Sequence, residues 1–227
     1  MPFINNAQDV ARVAMNSVNP ALTEKFSLLV EFLAANPAAA SSFRGKNSPL
    51  IGSEAYIRAA ATNFSQGREP KRPVKPDTVP DEMVSVVLEY YFAVDPKSLD
   101  RVKIEHALSM GAENIVGDLL ERYLASALEP SGWIWCAGSI VKAVDFILPP
   151  KAEESWRSLQ VKNRDNSENS SSSAIRLNTT IEKWFRTFSK KPGSNWAAFP
   201  HVGAHKLLSE ENFRIFAKAY LESVKLR

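Results

Sequence analysis

Apolar residues recur at helical spacing along the first third of the chain. Between Leu22 and Leu33 they stand at the i, i+3 and i+4 positions that form one face of a helix, which predicts a packed helix there. Ser53 can cap the first turn of a further helix, which we expect to end near Phe64. Residues 1–79 are therefore expected to form a helical N-terminal portion that ends in a proline-rich connector.

The connector from Gly67 to Pro80 alternates basic residues with prolines. Neither a helix nor a central strand tolerates this density of proline, because each ring fixes φ and removes a backbone donor. One interpretation is a stiff surface connector, and the other is an extended basic arm that follows the phosphates of a nucleic acid. The residues concerned are Arg68, Pro70, Lys71, Arg72, Pro73, Lys75, Pro76 and Pro80.

Three helices are predicted in the middle of the chain. Residues 80–82 (Pro-Asp-Glu) suit the start of the first, which would run through Tyr91, because proline and acidic side chains are favoured in a first turn. Two more helices are expected, roughly over residues 97–110 and 112–128.

After residue 132 the helical period gives way to short apolar runs bounded by glycine and proline. Aromatic and β-branched residues cluster at 133–136, 140–148 and 156–162, which predicts three strands at the heart of a sheet. We therefore expect a single α/β domain with additional helices.

Two further helices are predicted beyond the strands. The first would begin at Thr179, with a threonine as its cap, and would carry Lys183 and Arg186 one i+3 step apart. The second, residues 209–225, would close the chain as an amphipathic helix.

Composition narrows the class of protein only modestly. The 227 residues are 44% hydrophobic and 23% charged, which is enough for a sizeable core, and the net charge of +3 tilts weakly towards polyanionic partners. Cys136 is the single cysteine, so an intramolecular disulfide and a cysteine-rich zinc site are excluded, as suits a reducing compartment. No secretory signal pattern and no run of about 20 apolar residues is present, so we expect a cytoplasmic protein without a membrane partner.

The candidate chemistry lies between Val144 and Arg164. Asp145 is followed, after a turn-like insertion, by Gln160, Val161 and Lys162 on the next predicted strand. Metal-assisted phosphodiester hydrolysis needs oxygen ligands for a hard cation such as Mg²⁺ and an ammonium that orients water or neutralises the phosphate. We expect Asp145, Gln160 and the backbone carbonyl of Val161 to hold the metal, with Gln160 and Lys162 on one face of the strand.

The preceding helix offers a third acidic group. Ile115, Leu119 and Leu120 form its buried stripe, so Glu121 can point along the sheet towards Asp145. The alternative is that Glu121 is a solvated helix charge, and the choice between Glu113 and Glu121 stays open at this point.

Glu121, Asp145 and the Gln160-Val161-Lys162 run together resemble the PD-(D/E)XK nuclease core. The longer run LQVKNRDNSENSSSSAIR, followed by IEKWFR, resembles type II restriction endonucleases of the SinI and AvaII group. The resemblance implies a restriction-endonuclease-like mixed sheet flanked by helices, with the nuclease core in residues 80–227 of a single domain. It also implies Mg-dependent cleavage of double-stranded DNA at a short pseudo-palindrome, GGWCC for this group, by a homodimer without an organic cofactor.

Two positions depart from the family pattern. Val144 stands where the family has proline, and the neutral Gln160 stands where it has a second acidic ligand. An amide oxygen can coordinate a cation, but without formal charge it binds more weakly. The number of metal ions and their affinity therefore stay open.

The segment after Lys162, around residues 164–176, contains the side chains that recognise bases in DNA. Arginine can hydrogen-bond guanine, acidic side chains can hydrogen-bond cytosine, and amides can hydrogen-bond adenine. Its position beside the catalytic strand favours a recognition loop over a flexible linker, while Lys183 and Arg186 are either phosphate contacts or a solvated face. A non-catalytic nucleic-acid-binding module and a helical interaction domain are the competing classes. The candidate recognition residues are Arg164, Asp165, Asn166, Glu168, Asn169, Ser170, Ser171, Ser172, Ser173 and Arg176.

Two further chemistries are less favoured. His201 and His205 stand four residues apart, but the glycine between them and the missing third ligand argue against a zinc site. Cys136, between aromatic residues of a predicted strand, is typical of a small core residue rather than a nucleophile.

Overall fold

The computed structural model describes residues 2–151, 154–165 and 181–225 of the chain. Helices pack around a four-stranded sheet, as the predicted α/β class requires. No helix within those ranges is both long and apolar enough to cross a bilayer. The helices are α1 (Ala7–Val18), α2 (Thr23–Ala35), α3 (Glu54–Arg68), α4 (Glu82–Tyr90), α5 (Leu99–Leu128) and α6 (Glu210–Lys225), and the strands are β1 (Ile134–Trp135), β2 (Phe146–Leu148), β3 (Arg157–Arg164) and β4 (Ile181–Thr187).

The sheet is mixed, with strand order β1-β2-β3-β4. β1 pairs antiparallel with β2, and β2 pairs antiparallel with β3. β4 instead runs parallel to β3, with Val161 opposite Trp184. β3 is therefore the central strand on which both halves of the sheet depend.

Two hydrophobic cores lie on opposite faces of the sheet. One, here called the N-terminal core, joins α1, α2 and α3 to Ile134 and Ile147. The other, here called the C-terminal core, joins α5 and α6 to Trp135, Phe146 and Trp184. Adjacent residues of β1 and β2 enter different cores because side chains alternate across a strand.

The predicted cap of α3 and the predicted start of α4 are confirmed. The Ser53 hydroxyl accepts a hydrogen bond from the Tyr56 amide at the start of α3, and the Asp81 side chain accepts one from the Met83 amide at the start of α4. α3 continues to Arg68, one turn beyond the predicted end.

The prediction of two helices separated near residue 111 was wrong, because α5 is one continuous helix of 30 residues. Gly111 lies inside it, and a Cβ there would stand 2.7 Å from the carbonyl oxygen of Val74. The glycine therefore permits the proline-rich connector to cross α5 closely, at a cost of about 1 kcal/mol in helix propensity.

The prediction of a helix from Thr179 was also wrong over the described residues, since 181–187 form β4. Ile181, Trp184 and Phe185 stand at helical spacing, yet all are good strand formers, and pairing with β3 decides the outcome. The predicted strand over 140–148 is likewise reduced to β2, because Ala143 takes a left-handed φ of 56° and turns the chain.

Arg122 links the end of α3 to α5. Arg122 on α5 donates to the carbonyls of Gly67, Arg68 and Glu69 and pairs with Asp118 at 2.6 Å. These contacts satisfy carbonyl groups that the end of a helix leaves without partners.

Arg68 and Lys71 are similarly engaged at the start of the connector. Arg68 pairs with Glu129 at 2.7 Å, and Lys71 pairs with Asp118 at 2.9 Å. These contacts favour the interpretation of this segment as a surface connector over the interpretation as a basic arm.

Replacing Arg122 with methionine is expected to lower the free energy of unfolding by about 3 kcal/mol or more. The change removes one of the two partners of the largely buried Asp118 carboxylate, leaving only Lys71, and it leaves the α3 carbonyls without donors. Arg101 on the same helix is the matched control, because it forms the same i,i+4 pair with Glu105 but is 80% exposed. Arg101→Met should cost at most about 0.5 kcal/mol, and urea denaturation that found equal losses would contradict the assignment.

Candidate active site

Asp145 is attached directly to the central strand. Its amide donates to the Leu159 carbonyl at 2.9 Å, and its Oδ2 accepts the Val161 amide at 2.7 Å. The side chain thus takes the place of a backbone acceptor where β2 begins to leave β3. This contact fixes the carboxylate beside residues 160 to 162, as the sequence predicted.

Strand alternation places two of the predicted catalytic side chains on one face of β3. Leu159 and Val161 enter the C-terminal core, so Gln160 and Lys162 project from the other face. Asp145 lies immediately before β2, and its carboxylate is held beside them by the Val161 amide. Gln160 is buried, and its Oε1 accepts no hydrogen bond from the part of the protein that the structure describes.

Glu121 reaches the same place from α5. Its Oε2 accepts a hydrogen bond from Trp135 Nε1 at 2.9 Å. Burial raises the pKa of Glu121, and its carboxylate in turn raises the pKa of Asp145, so the two acids lie in one poorly hydrated site. Glu113 lies about 12 Å further along the helix axis, where it lines a different cavity with Arg164 and Lys191.

The protonation of Asp145 is finely balanced. Burial raises its pKa to about 7, and Glu121 adds to the rise. The Val161 amide and the Lys162 ammonium act in the opposite direction, which places Lys162 within electrostatic reach of the carboxylate. The carboxyl groups of Asp145 and Glu121 and the ammonium of Lys162 therefore lie close to one another.

The donor set fits a hard divalent cation. It consists of two carboxylates, the Gln160 amide and backbone carbonyls of β3, all of them oxygen ligands of the kind that Mg²⁺ prefers. The Gln160 Oε1 is a buried acceptor without a partner among the described residues, which normally costs about 1–3 kcal/mol and which a cation would offset. No group of three histidine, cysteine or acidic side chains capable of holding a metal occurs within the described ranges.

Trp135 positions Glu121. Two guanidinium groups lie over its indole ring, with Arg68 at 5.3 Å and Arg122 at 5.2 Å from the ring centroid. The indole N–H is directed at the Glu121 carboxylate. This role could not be assigned from the sequence, because tryptophan in an apolar strand is the pattern of an ordinary core residue.

The strand conformation of residues 181–187 separates Lys183 from Arg186. Lys183 is in register with Gln160 and therefore projects on the face of the candidate site. Arg186 projects towards α6, where it hydrogen-bonds Glu210 and Asn163 and lies over the Phe213 ring. Its side chain is 12% exposed, so in this structure Arg186 holds β4 against α6 rather than facing solvent.

Part of the predicted recognition segment is visible at the end of β3. Arg164 is exposed and lines a polar cavity of about 660 Å³ together with Lys191, a basic residue that the motif did not indicate. Asp165 accepts the Ser189 amide at 2.5 Å, and hydrogen bonds from Ser189 lower its pKa. The other recognition candidates, Asn166, Glu168, Asn169, Ser170, Ser171, Ser172, Ser173 and Arg176, lie outside the described residues.

The histidines and the cysteine have structural surroundings. His205 Nε2 contacts the Phe199 carbonyl at 2.7 Å, and His201 packs edge-on against Trp133. Cys136 is buried, and burial raises the pKa of its thiol well above the usual value. The interpretation of Cys136 as a core residue is confirmed by its burial in the N-terminal core.

The chain is similar to known proteins over nearly its whole length. The model of the SinI restriction endonuclease family matches residues 7–223. The chain is 53% identical over 223 residues to the type II restriction enzyme Eco47I of Escherichia coli, which covers 98% of this chain and 97% of that protein. It is 51% identical over 224 residues to the type II restriction enzyme SinI of Salmonella infantis, with the same coverage of 98% and 97%.

Asp145→Asn is expected to stabilise the metal-free protein near neutral pH. Because the folded-state pKa is about 7 and the unfolded value is about 3.9, the folded protein loses stability from this group as pH rises between them. The asparagine variant lacks this loss. Its advantage over the unaltered protein should therefore grow by on the order of 1 kcal/mol or more between pH 5 and pH 8.

Thermal melts in chelator at the two pH values measure this difference. Asp77 is an exposed acid of the connector and is the matched control, since Asp77→Asn should show no such growth. An Asp145→Asn variant that is less stable than the unaltered protein at both pH values would contradict the proposed crowding of carboxylates.

Proposed function

The chain belongs to the SinI restriction endonuclease family, and we propose on that basis that it is a type II restriction endonuclease hydrolysing phosphodiester bonds in double-stranded DNA. The observation that carries the proposal is the attachment of Asp145 to β3 at Val161, between Gln160 and Lys162. We further propose that this sheet is a restriction-endonuclease-like core, with residues 80–227 as the nuclease portion of a single domain.

Mg²⁺ is the proposed cofactor. Asp145, Gln160 and the Val161 carbonyl would hold it, with Glu121 as the neighbouring acid. Bound there, the cation would polarise the scissile phosphate and lower the pKa of the attacking water. The neutral Gln160 makes the ligand set less charged than one with a third carboxylate, which implies weaker binding of the cation.

The chain's own residues supply orientation and charge. The Val161 amide holds the Asp145 carboxylate in one direction, and Trp135 does the same for Glu121. Lys162 projects on the same face, where its ammonium can orient water and neutralise charge on the phosphate. Water adds to phosphorus as one P–O bond breaks, and the departing oxygen takes up a proton.

DNA would lie across the face that carries the site. Lys183 projects there, and Arg164 and Lys191 provide positive charge at the end of β3, suitable for phosphate contacts. Base reading is assigned to the segment around 164–176, and the proposed site is GGWCC, as the family resemblance implies. The working unit is proposed to be a homodimer, because symmetric DNA favours one subunit for each half-site. A cytoplasmic location agrees with a DNA substrate and with a single free thiol.

Plasmid digestion tests the activity directly. A plasmid with one GGWCC sequence should be converted to linear DNA in Mg²⁺, while a matched plasmid with that sequence altered should stay intact. Digestion in chelator should give no product, and mapping the ends of the fragments identifies the bond that is cut. A gel shift of DNA without any nick or cut would instead support the non-catalytic binding module.

Lys162→Ala is expected to reduce the cleavage rate at least about 100-fold while DNA binding in Ca²⁺ remains. The ammonium acts on the phosphate and on water, whereas the duplex is held by other basic residues. Lys218 on α6 is the control, because α6 packs on the opposite face of the sheet. Lys218→Ala should cut at the normal rate, and full cleavage by Lys162→Ala would remove Lys162 from the proposed mechanism.

Gln160→Glu is expected to lower the Mg²⁺ concentration for half-maximal cleavage by about tenfold, since it adds formal charge to an oxygen ligand. The same change should destabilise the metal-free protein, because a third carboxylate joins Asp145 and Glu121. Gln160→Leu, which keeps the volume and removes the oxygen, should require more Mg²⁺ than the unaltered protein. A Mg²⁺ titration that ranked the variants in the reverse order would exclude residue 160 as a ligand.

A further inference from the structure

Exposed hydrophobic side chains concentrate in one stretch of the chain. Of the eighteen large hydrophobic residues found exposed among the described residues, twelve lie between Val74 and Met110. Soluble monomers rarely expose so large a continuous apolar patch unless it binds something. The twelve residues, here called the α4/α5 surface, are Val74, Val79, Met83, Val84, Val86, Val87, Tyr90, Tyr91, Phe92, Ile104, Leu108 and Met110.

α4 carries the clearest part of this surface. Met83, Val86, Val87 and Tyr90 follow the i, i+3, i+4, i+7 spacing of a single helical face, and each of the four is exposed. No residue of this nine-residue helix is buried. A helix this short is only marginally stable in water unless it packs against something. We therefore expect another protein surface to cover the stripe.

The first half of α5 also presents exposed apolar side chains. Ile104 and Leu108, one helical turn apart, are exposed at 54% and 56%. A groove of about 440 Å³ lies between α4 and α5, with Val84 and Leu88 on one side and Val102 on the other. The two helices therefore present ridges and a groove, the features with which helices pack against one another.

Charge argues against DNA as the occupant and in favour of a second copy. Between Lys75 and Lys97 the chain has five acidic residues and neither lysine nor arginine, so this part would repel phosphate. The start of α5 and the turn before it carry Lys97 and Lys103 beside Asp100, and Arg101 is already paired with Glu105 within the helix. In a two-fold arrangement Lys97 and Lys103 of one copy can face the acidic residues of α4 in the other.

The area is sufficient for a stable pair. Tyr90 and Tyr91 are each 81% exposed, and Phe92 is 64% exposed. With about 200 Å² for each aromatic side chain and the aliphatic residues added, the surface offers on the order of 1,000 Å² per copy. A standard protein interface needs about 800 Å² per partner.

We propose that the α4/α5 surface is where two copies of this chain meet, with α4 and α5 of each copy packed against those of the other. The inference rests on the proposed function in one respect, since cutting both strands of a duplex requires the second active site that a second copy brings. The contact itself is argued from the apolar stripe, the groove and the charges.

Sedimentation of the full chain, without DNA or metal, tests the contact. The unaltered protein should be a dimer, and the double change Val87→Asp with Tyr90→Asp should raise the dimer dissociation constant at least about 100-fold. Val13 is the matched control, because it is 58% exposed but lies on α1. Val13→Asp should leave the dimer intact. A monomeric unaltered protein, or a double variant as dimeric as the control, would overturn the proposal.

Hydrogen exchange provides a second measurement that needs no substitution. Amides of residues 82–92 should exchange more slowly at high protein concentration than after dilution, while those of α1 should not change. Equal exchange at both concentrations would count against the contact. Because neither experiment uses DNA, a dimer that fails to cut plasmid would refute the proposed nuclease function while leaving this surface assignment in place.

Discussion

The hydrogen bond from the Val161 amide to the Asp145 carboxylate is the contact on which the candidate site depends. A strand pair normally closes with a backbone carbonyl at such a position, and here an acidic side chain takes its place. Because the side chain replaces a carbonyl there, the Asp145 carboxylate is tied to the centre of the sheet in one orientation. The hydrogen bond also holds that charge where burial opposes it, as expected for the proposed cation site.

A second layer of contacts supports the neighbouring acid. Arg68 and Arg122 both lie over the Trp135 ring, whose N–H holds Glu121. Arg122 also ties the end of α3 to α5. The helical N-terminal portion thus supports the geometry of the site through Arg68 and the end of α3, although its own residues supply none of the proposed ligands.

The sequence was sufficient where local periodicity decides the structure. The placement of Gln160 and Lys162 on one face follows from alternation along β3, and the cap at Ser53 follows from its side-chain chemistry. β4 could not be predicted, because its apolar residues suit both periods and only pairing with β3 selects the strand. The continuity of α5 through Gly111 could not be predicted for a similar reason. The glycine is needed because the chain at Val74, which is distant in sequence, crosses the helix closely there.

α5 connects features that were described separately. Leu108 belongs to the proposed meeting surface, and Glu121, thirteen residues later, belongs to the candidate site. In an uninterrupted α-helix that interval is about 20 Å long and nearly rigid. In a symmetric pair, α5 would therefore set the distance between the meeting surface and each candidate site, so the stagger of the cut ends would be determined by the length of this helix.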